Sequence, residues 1–212
     1  MEFRRRLIQT STRGSMRKLI VSEFMTLDGV IQAPGHKDED RDGGFQHGGW
    51  TVPYWHEDIG RSFGTLMQDC DAFLLGRRTY TTHAEAFEPM PAGDPFGDLM
   101  NAPAKYVVSR TLQKPIWRNT TIIREGVIEA VRTLKAQRGR SILTDGSSQL
   151  VHALLAHDLV DELHLLLYPL TLGSGKRLWP EHFNTRFGLT SATPYPSGVV
   201  GLHYTLQPGR NA

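Results

Sequence analysis

Five short apolar runs constrain this chain more than any other feature. Leu19-Ile20-Val21, Ala72-Phe73-Leu74-Leu75, Tyr106-Val107-Val108, Ile122-Ile123 and Ile142-Leu143 are each continuously apolar and each closed by Gly, Ser, Asp or Arg. A half-wet strand alternates; a continuously apolar one is covered on both faces. Between these runs lie helical stripes: Ile59, Phe63, Leu66 and Met67; Ile128, Val131, Leu134 and Lys135, with Gly139 in C-cap position; and Leu150, Val151, Leu154 and Leu155, entered through the N-cap residues Ser147 and Ser148. Strand–helix alternation predicts crossover units, a mostly parallel central sheet and helices on both faces: a three-layer α/β/α fold.

The C-terminal end reads differently. The run 162–168 is a strand stopped by Pro169. Val200, Leu202, Tyr204 and Leu206 alternate with Gly201, His203, Thr205 and Gln207, a half-exposed strand whose hairpin partner begins at Phe187, Leu189 and Ser191 and turns through 196–198. The parallel sheet therefore gains an antiparallel hairpin edge.

Composition excludes several classes. Apolar residues at 39% and charged residues at 22% fit a globular domain with a real core, and no run of 18 apolar residues exists to cross a membrane. One cysteine, Cys70, rules out an internal disulfide framework and a cysteine-based zinc site. The net charge of +2 is too small to argue for nucleic acid, and Arg4, Arg5, Arg6 and Arg13 against Glu2 place all of it in the first 15 residues. Residues 1–15 read as a disordered extension, and 16–207 as one domain with no linker or repeat. A soluble protein of a reducing, cytoplasmic compartment is the expectation.

Two long segments, 32–53 and 88–104, read as loops: lids or binding walls on one reading, surface insertions on the other. Several motifs fail on inspection. Asp38, Asp40, Asp42 and Gly43 open like a calcium loop, but Gly49 stands where its bidentate carboxylate belongs. The nine histidines show no metal-ligand spacing, so no metal is expected. The stretch 172–177 lacks the first Gly and the Ser/Thr of a phosphate loop, and the flanking glycines of a nucleophile elbow.

Three strand-end junctions remain. Gly76-Arg77-Arg78-Thr79 follows one strand and opens a helix. Ser109-Arg110 ends a second strand. Asp145-Gly146-Ser147-Ser148 ends a third and starts another helix. Glycine lets a backbone approach a ligand, helix-start amides favour an anion, and arginines fork phosphate. Three such junctions on one sheet edge would make a dinucleotide groove, with Gly146 bare of side chain so that the chain can lie against the diphosphate.

These junctions, with Leu27-Asp28-Gly29-Val30-Ile31, Val107-Val108-Ser109-Arg110, Asp161-Glu162-Leu163 and Leu172-Gly173-Ser174-Gly175 in that order, resemble the dihydrofolate reductase fold family. The branch resembled most is the reductase domain of the bifunctional riboflavin-pathway deaminase–reductase, over about residues 16–207. The resemblance implies an NADPH-dependent reductase of a small heterocyclic or ribosyl-pyrimidine-like substrate. It places Arg77 at the 2′-phosphate, Ser109 and Arg110 at the adenosine end, Thr79 and the Gly146, Ser147 and Ser148 amides at the diphosphate with Asp145 in the turn beneath it, and Gly76, Arg78 and Gly173 among the further cofactor-binding residues. It sets Asp28 and Gly29 beside the nicotinamide and the reducible ring.

Folate-reducing members carry a carboxylate in the helix after the first loop, for which Glu57 and Asp58 are possible stand-ins; carboxylates there are also ordinary helix-dipole partners. Trp50 and Tyr54 could stack a flat heterocycle or simply pack the core. The zinc signature of the riboflavin-pathway deaminase is missing, which leaves that pathway role open. Asp28 and Glu57 are thus the candidate catalytic residues, with Gly29, Trp50 and Tyr54 at the substrate. Related reductase domains pair, and the apolar strand 163–167 needs cover, so a homodimer is expected. A catalytically silent NADP(H)-binding protein is the alternative; binding without consumption would distinguish it.

Overall fold

The computed structural model describes residues 16–206, so the expectation for residues 1–15 lies outside the described residues. Eight strands form one sheet: β1 (Leu19–Thr26), β2 (Cys70–Gly76), β3 (Ala104–Val108), β4 (Thr120–Ile123), β5 (Ser141–Asp145), β6 (Glu162–Tyr168), β7 (Phe187–Pro194) and β8 (Val200–Leu206). Their spatial order is β4-β3-β2-β5-β1-β6-β8-β7. The first six run parallel, and β8 pairs antiparallel with both β6 and β7. All five continuous runs and the hairpin edge lie where their patterning put them.

Helices α1 (Glu57–Gln68), α2 (Arg77–Phe87) and α3 (Pro95–Asn101) cover one face; α4 (Val127–Ala136) and α5 (Ser148–Ala156) cover the other. Leu150, Val151, Leu154 and Leu155 of α5 join Leu19, Val21, Ile142 and Leu163 in the larger core cluster. On the opposite face Tyr80 and Ala84 of α2 and Met67 of α1 pack on Ile20, Phe73, Leu75 and Leu143. This is a doubly covered sheet with a hairpin edge, as the alternation required.

Three local expectations are corrected. Residues 88–104 are not all loop: Asp94 accepts from the Gly97 amide at 2.7 Å and Pro95 fills the first helical position, so α3 forms within a proline-rich stretch. Gly139 is not the cap of α4, which ends at an extended Gln137. A Cβ there would sit 2.9 Å from Arg17 Nε and from Asp71 Oδ2, so the missing side chain makes room for that ion pair. Ser147 does cap α5 by position, but its hydroxyl bonds outside the helix.

Residues 32–53 are no loose insertion either. Two short 3-10 turns, Asp42–Gly44 and Val52–Tyr54, sit in a folded segment whose Ala33, Phe45 and Trp50 form a third apolar cluster with Val30, Ile59 and Tyr168. Asp40 and Asp42 pair with Lys176, and Asp42 also with Arg78.

Candidate active site

The junctions after β3, β2 and β5 lie side by side at the carboxyl edge of three adjacent parallel strands. The chain leaves β2 for α2 on one face and leaves the neighbouring β5 for α5 on the other. That reversal opens a crevice at the strand ends, the place where open α/β sheets bind ligands. The two junctions are also bolted together. The Ser147 amide donates to Thr79 Oγ1 at 3.1 Å, the two hydroxyls lie 3.0 Å apart, and the Gly76 amide donates to Ser147 Oγ at 2.9 Å.

Helices α2 and α5 both start here without a side-chain cap, which leaves their first-turn amides as donors and their positive dipole ends facing the crevice edge. Arg77 and Arg110 are exposed, and among the described residues neither is paired with a carboxylate. Arg78 is different: it is ion-paired to Asp42, with Asp40 at 4.0 Å. Of the arginines expected at the phosphates, the structure leaves Arg77 and Arg110 for an anion and commits Arg78 to the folded segment 32–53. Ser109 is buried, and its hydroxyl accepts from the Thr111 and Leu112 amides at 3.2 and 2.9 Å, closing the turn that presents Arg110.

Gly146 has φ +52, and a Cβ on it would come within 2.9 Å of Thr79 Oγ1. Its bare Cα makes room for the contact between the two junctions. Asp145 is likewise turned to the protein: its Oδ2 lies 2.9 Å from His83 Nε2 of α2. Ser148 opens α5 and is half-buried, in reach of the crevice edge.

The expected catalytic carboxylates each have partners within the protein. Asp28 accepts from Thr26 Oγ1 at 2.6 Å, the Gly173 amide at 2.8 Å and the Leu172 amide at 3.2 Å, with Arg177 at 3.8 Å. The Thr26 hydroxyl, then the Gly173 and Leu172 amides, hold its pKa below the usual carboxylate value despite some burial. Asp28 thus ties the turn after β1 to the 172–173 segment. The same bond commits the Gly173 amide to Asp28 and not to a phosphate. Glu57 is exposed and lies 3.4 Å from Arg61 one turn on; Asp58 pairs with Arg61 and with the cap residue His56. Both are first-turn dipole partners, and nothing in their contacts marks a general acid.

The expected substrate residues fare similarly. Trp50 is 6% exposed, donates from Nε1 to the Gln32 carbonyl at 2.8 Å and meets Tyr168 edge-on at 5.2 Å. Tyr54 meets the same ring at 5.8 Å. Trp50 is part of the core, and Tyr54 packs on it half-buried. Gly29 forms the turn after β1, its carbonyl accepting from the Leu178 amide at 3.0 Å. The exposed apolar groups at this end are instead Leu27, Val52 and Trp55.

Two residues escaped the sequence reading. Glu23 is buried inside β1, and His83 partners Asp145. Glu23 had a signal: a carboxylate inside a run covered on both faces has no ordinary place.

A cavity of about 760 Å³ lies elsewhere, between α1 and the start of β1, β5 and β6, lined by Lys18, Glu162, His164 and His203. It sits at the opposite edge from the junctions and holds none of the expected cofactor residues.

The RibD C-terminal domain profile matches residues 17–201. The chain belongs to the RibD C-terminal domain family. Within reach of this domain is the uncharacterized Bacillus subtilis protein YyaP, 27% identical over 194 residues that span 89% of this chain and 94% of YyaP. Acinetobacter baumannii RibD superposes with a TM-score of 0.63 at 13% identity, over 92% of this chain and 59% of RibD. Dihydrofolate reductase from Enterococcus faecalis, complexed with NADP(H), gives 0.58 at 14% identity, over 92% and 97%. These neighbours establish the dihydrofolate reductase-like fold, and together with the family they support a reductase-type function.

Proposed function

We propose that this RibD C-terminal-type domain is an NADPH-dependent reductase of a small heterocyclic or ribosyl-pyrimidine-like substrate. The observation that carries the cofactor is the pair of unpaired arginines, Arg77 and Arg110, flanking two uncapped helix starts at the crevice between β2 and β5. Fixed cations suit a 2′-phosphate, and first-turn amides suit a diphosphate. The residues present therefore fit the nucleotide: Arg77 and Arg110 at its phosphorylated ribose, and the starts of α2 and α5 at its diphosphate. When bound, the nicotinamide supplies hydride; the chain supplies orientation and a dry surface. The exposed Leu27, Val52 and Trp55 offer apolar cover for a flat substrate.

Calorimetry tests the first half: NADPH should bind more tightly than NADH by ~1–3 kcal/mol, the scale of hydrogen bonds to charged groups. Equal affinities would refute it. The second half is tested by NADPH consumption across heterocyclic carbonyl and imine substrates.

One observation favours a second reading, a nucleotide-binding protein without turnover. Both candidate carboxylates already have protein partners, Asp28 in Thr26 and the Leu172 and Gly173 amides and Glu57 in Arg61. Tight NADPH binding with no consumption over the same substrate set would select it. We also propose a homodimer, because β7 leaves the antiparallel edge of the sheet unpaired.

A further inference from the structure

The strands β6 and β8 are packed on one face only. Leu163, Leu165, Leu202 and Tyr204 turn into the core beneath α4 and α5, whereas on the opposite face the cavity of about 760 Å³ opens between these strands, β1 and α1. Side-chain alternation decides what floors it: Ser22 of β1, Glu162 and His164 of β6, and His203 of β8. Register sets three of these in one row, Ser22 opposite His164 and His164 opposite His203. The two imidazoles are stacked, with ring centroids 3.9 Å apart and planes 14° from parallel.

One part of the row is satisfied within the protein. His164 Nε2 lies 3.3 Å from Glu162 Oε2, and Lys18 Nζ donates to Glu162 Oε1 at 2.7 Å. The rest is not. Ser22 is only 8% exposed, yet among the described residues neither its hydroxyl nor the ring nitrogens of His203 have a hydrogen-bond partner. Phe63 and Leu66 of α1 line the cavity across from this row, and Ile20 and Leu166 flank it. A sheet face open to solvent accounts for polar residues as such. It does not account for a hydroxyl and an imidazole sunk beside apolar walls with their polar atoms unused.

The charged groups facing the row are Arg17 and Lys18 from the start of β1, Arg140 from the approach to β5, Asp69 from the end of α1 and Glu162 from β6. Arg17 is paired with Asp71 and Lys18 with Glu162, while Arg140 donates to the Gln68 carbonyl at 2.8 Å. With both imidazoles neutral the lining carries more cations than carboxylates, and each proton added to the pair increases the excess. Burial and then the neighbouring His164 hold the His203 pKa below its ordinary value, with Glu162 opposing. An anion beside the ring offsets both.

We propose that this cavity is a ligand site separate from the dinucleotide groove, taking a small organic oxyanion with its charged group against His203 and Ser22 and its apolar body against Phe63 and Leu66. The volume lies in the range of small-molecule pockets. An imidazolium and a hydroxyl give an oxyanion charge-assisted hydrogen bonds. Ligand and His203 proton then favour one another, so affinity rises as pH falls through the imidazole range. The proposal stands on the cavity alone and does not depend on the groove binding nucleotide.

Histidine-selective NMR of the full chain tests it, with benzoate as the organic anion and inorganic phosphate as the bare one, each titrated at about pH 5.5 and about pH 8, either side of the ordinary imidazole value. The His164 and His203 signals are assigned by their loss in His164→Gln and His203→Gln. Benzoate should shift both signals saturably, bind more tightly at the lower pH, raise the His203 midpoint and outbind phosphate. His203→Gln should weaken benzoate about tenfold or more, the effect of losing a charged hydrogen-bond partner. Should that variant fold poorly, the wild-type chain still decides, since a benzoate affinity equal at both pH values overturns the role of the imidazole. Benzoate shifts that do not saturate, unweakened binding by folded His203→Gln, or phosphate binding as tightly as benzoate would each overturn the proposal. So would signals that move with protein concentration and not with benzoate, which would mean that a second copy of the chain covers the row.

Discussion

Gly146→Ala is the substitution that decides what the turn after β5 is for. Alanine in a left-handed conformation costs roughly 1–2 kcal/mol, and Gly146 has φ +52. The added Cβ would also meet Thr79 Oγ1 at 2.9 Å and Thr79 Cγ2 at 3.2 Å, closer than such carbons normally approach anything. Overpacking of this kind costs about 1–3 kcal/mol. Thr79 cannot simply swing away, because its hydroxyl holds the Ser147 amide and hydroxyl. Gly146→Ala should therefore destabilise the fold by about 2–5 kcal/mol, a melting-temperature drop of roughly 5–15 °C for a domain of this size. In a Thr79→Ala background the steric part disappears, and the same substitution should cost only the ~1–2 kcal/mol of backbone strain. Thermal denaturation of the four proteins of this cycle, with NADPH affinity measured on each folded sample, checks the reasoning. Equal cost of Gly146→Ala in both backgrounds would refute the Thr79 contact as the reason for glycine. Full stability with lost NADPH affinity would restore the view that the ligand itself needs the bare Cα.

Arg77→Ala should remove most of the preference for NADPH over NADH, about tenfold or more in affinity ratio, whereas Arg78→Ala should leave it unchanged because Asp42 already holds that side chain; paired calorimetry separates them. Glu162 carries a carboxyl held down to about 2, first by the His164 hydrogen bond and then by Lys18, against some burial. A depressed folded pKa means stability that is complete above the unfolded value near 4.5 and lost as pH falls toward 2, so Glu162→Gln should destabilise by roughly 1–3 kcal/mol at pH 7 and by little at pH 2 in urea titrations. Equal losses at both pH values would refute the ion-pair account. Light scattering at micromolar concentration should give a dimer mass; a monomer mass would end the homodimer proposal.

Why the fold was legible and the site less so follows from particular residues. A strand covered on both faces must be apolar at every position, and Leu19-Ile20-Val21 or Ile142-Leu143 satisfy that demand in sequence as they do in space. The stripe at Leu150, Val151, Leu154 and Leu155 fixes a helix face regardless of its neighbours. By contrast α3 was hidden, since Pro91, Pro95 and Pro103 read as breakers while Pro95 actually starts the helix after the Asp94 cap. Polar residues carry no such one-sided constraint. Asp28 in a turn reads equally as an acid for a substrate or as a clamp for distant amides, and only the approach of residues 172–173, brought by the β6 connection, decides for the clamp.

That ambiguity extends to the glycine-rich turns, and resolving it moves the candidate anion site. Around the crevice the Gly76 amide is committed to Ser147, the Ser147 amide to Thr79 and the Leu172 and Gly173 amides to Asp28. Amides in each of these glycine-containing turns are thus held by the protein itself. The donors left over are those a helix cannot use internally, the first-turn amides of α2 and α5, together with the two unpaired arginines. Substitutions at the glycines should therefore register first in stability, and substitutions at Arg77 and Arg110 first in ligand affinity. The glycines and Thr79 fix the two helix starts relative to one another, and on the proposed reading the helix starts and arginines then meet the ligand. On the proposed reading, binding specificity is a property of how β2 and β5 are locked together, one step removed from the glycines of the turns.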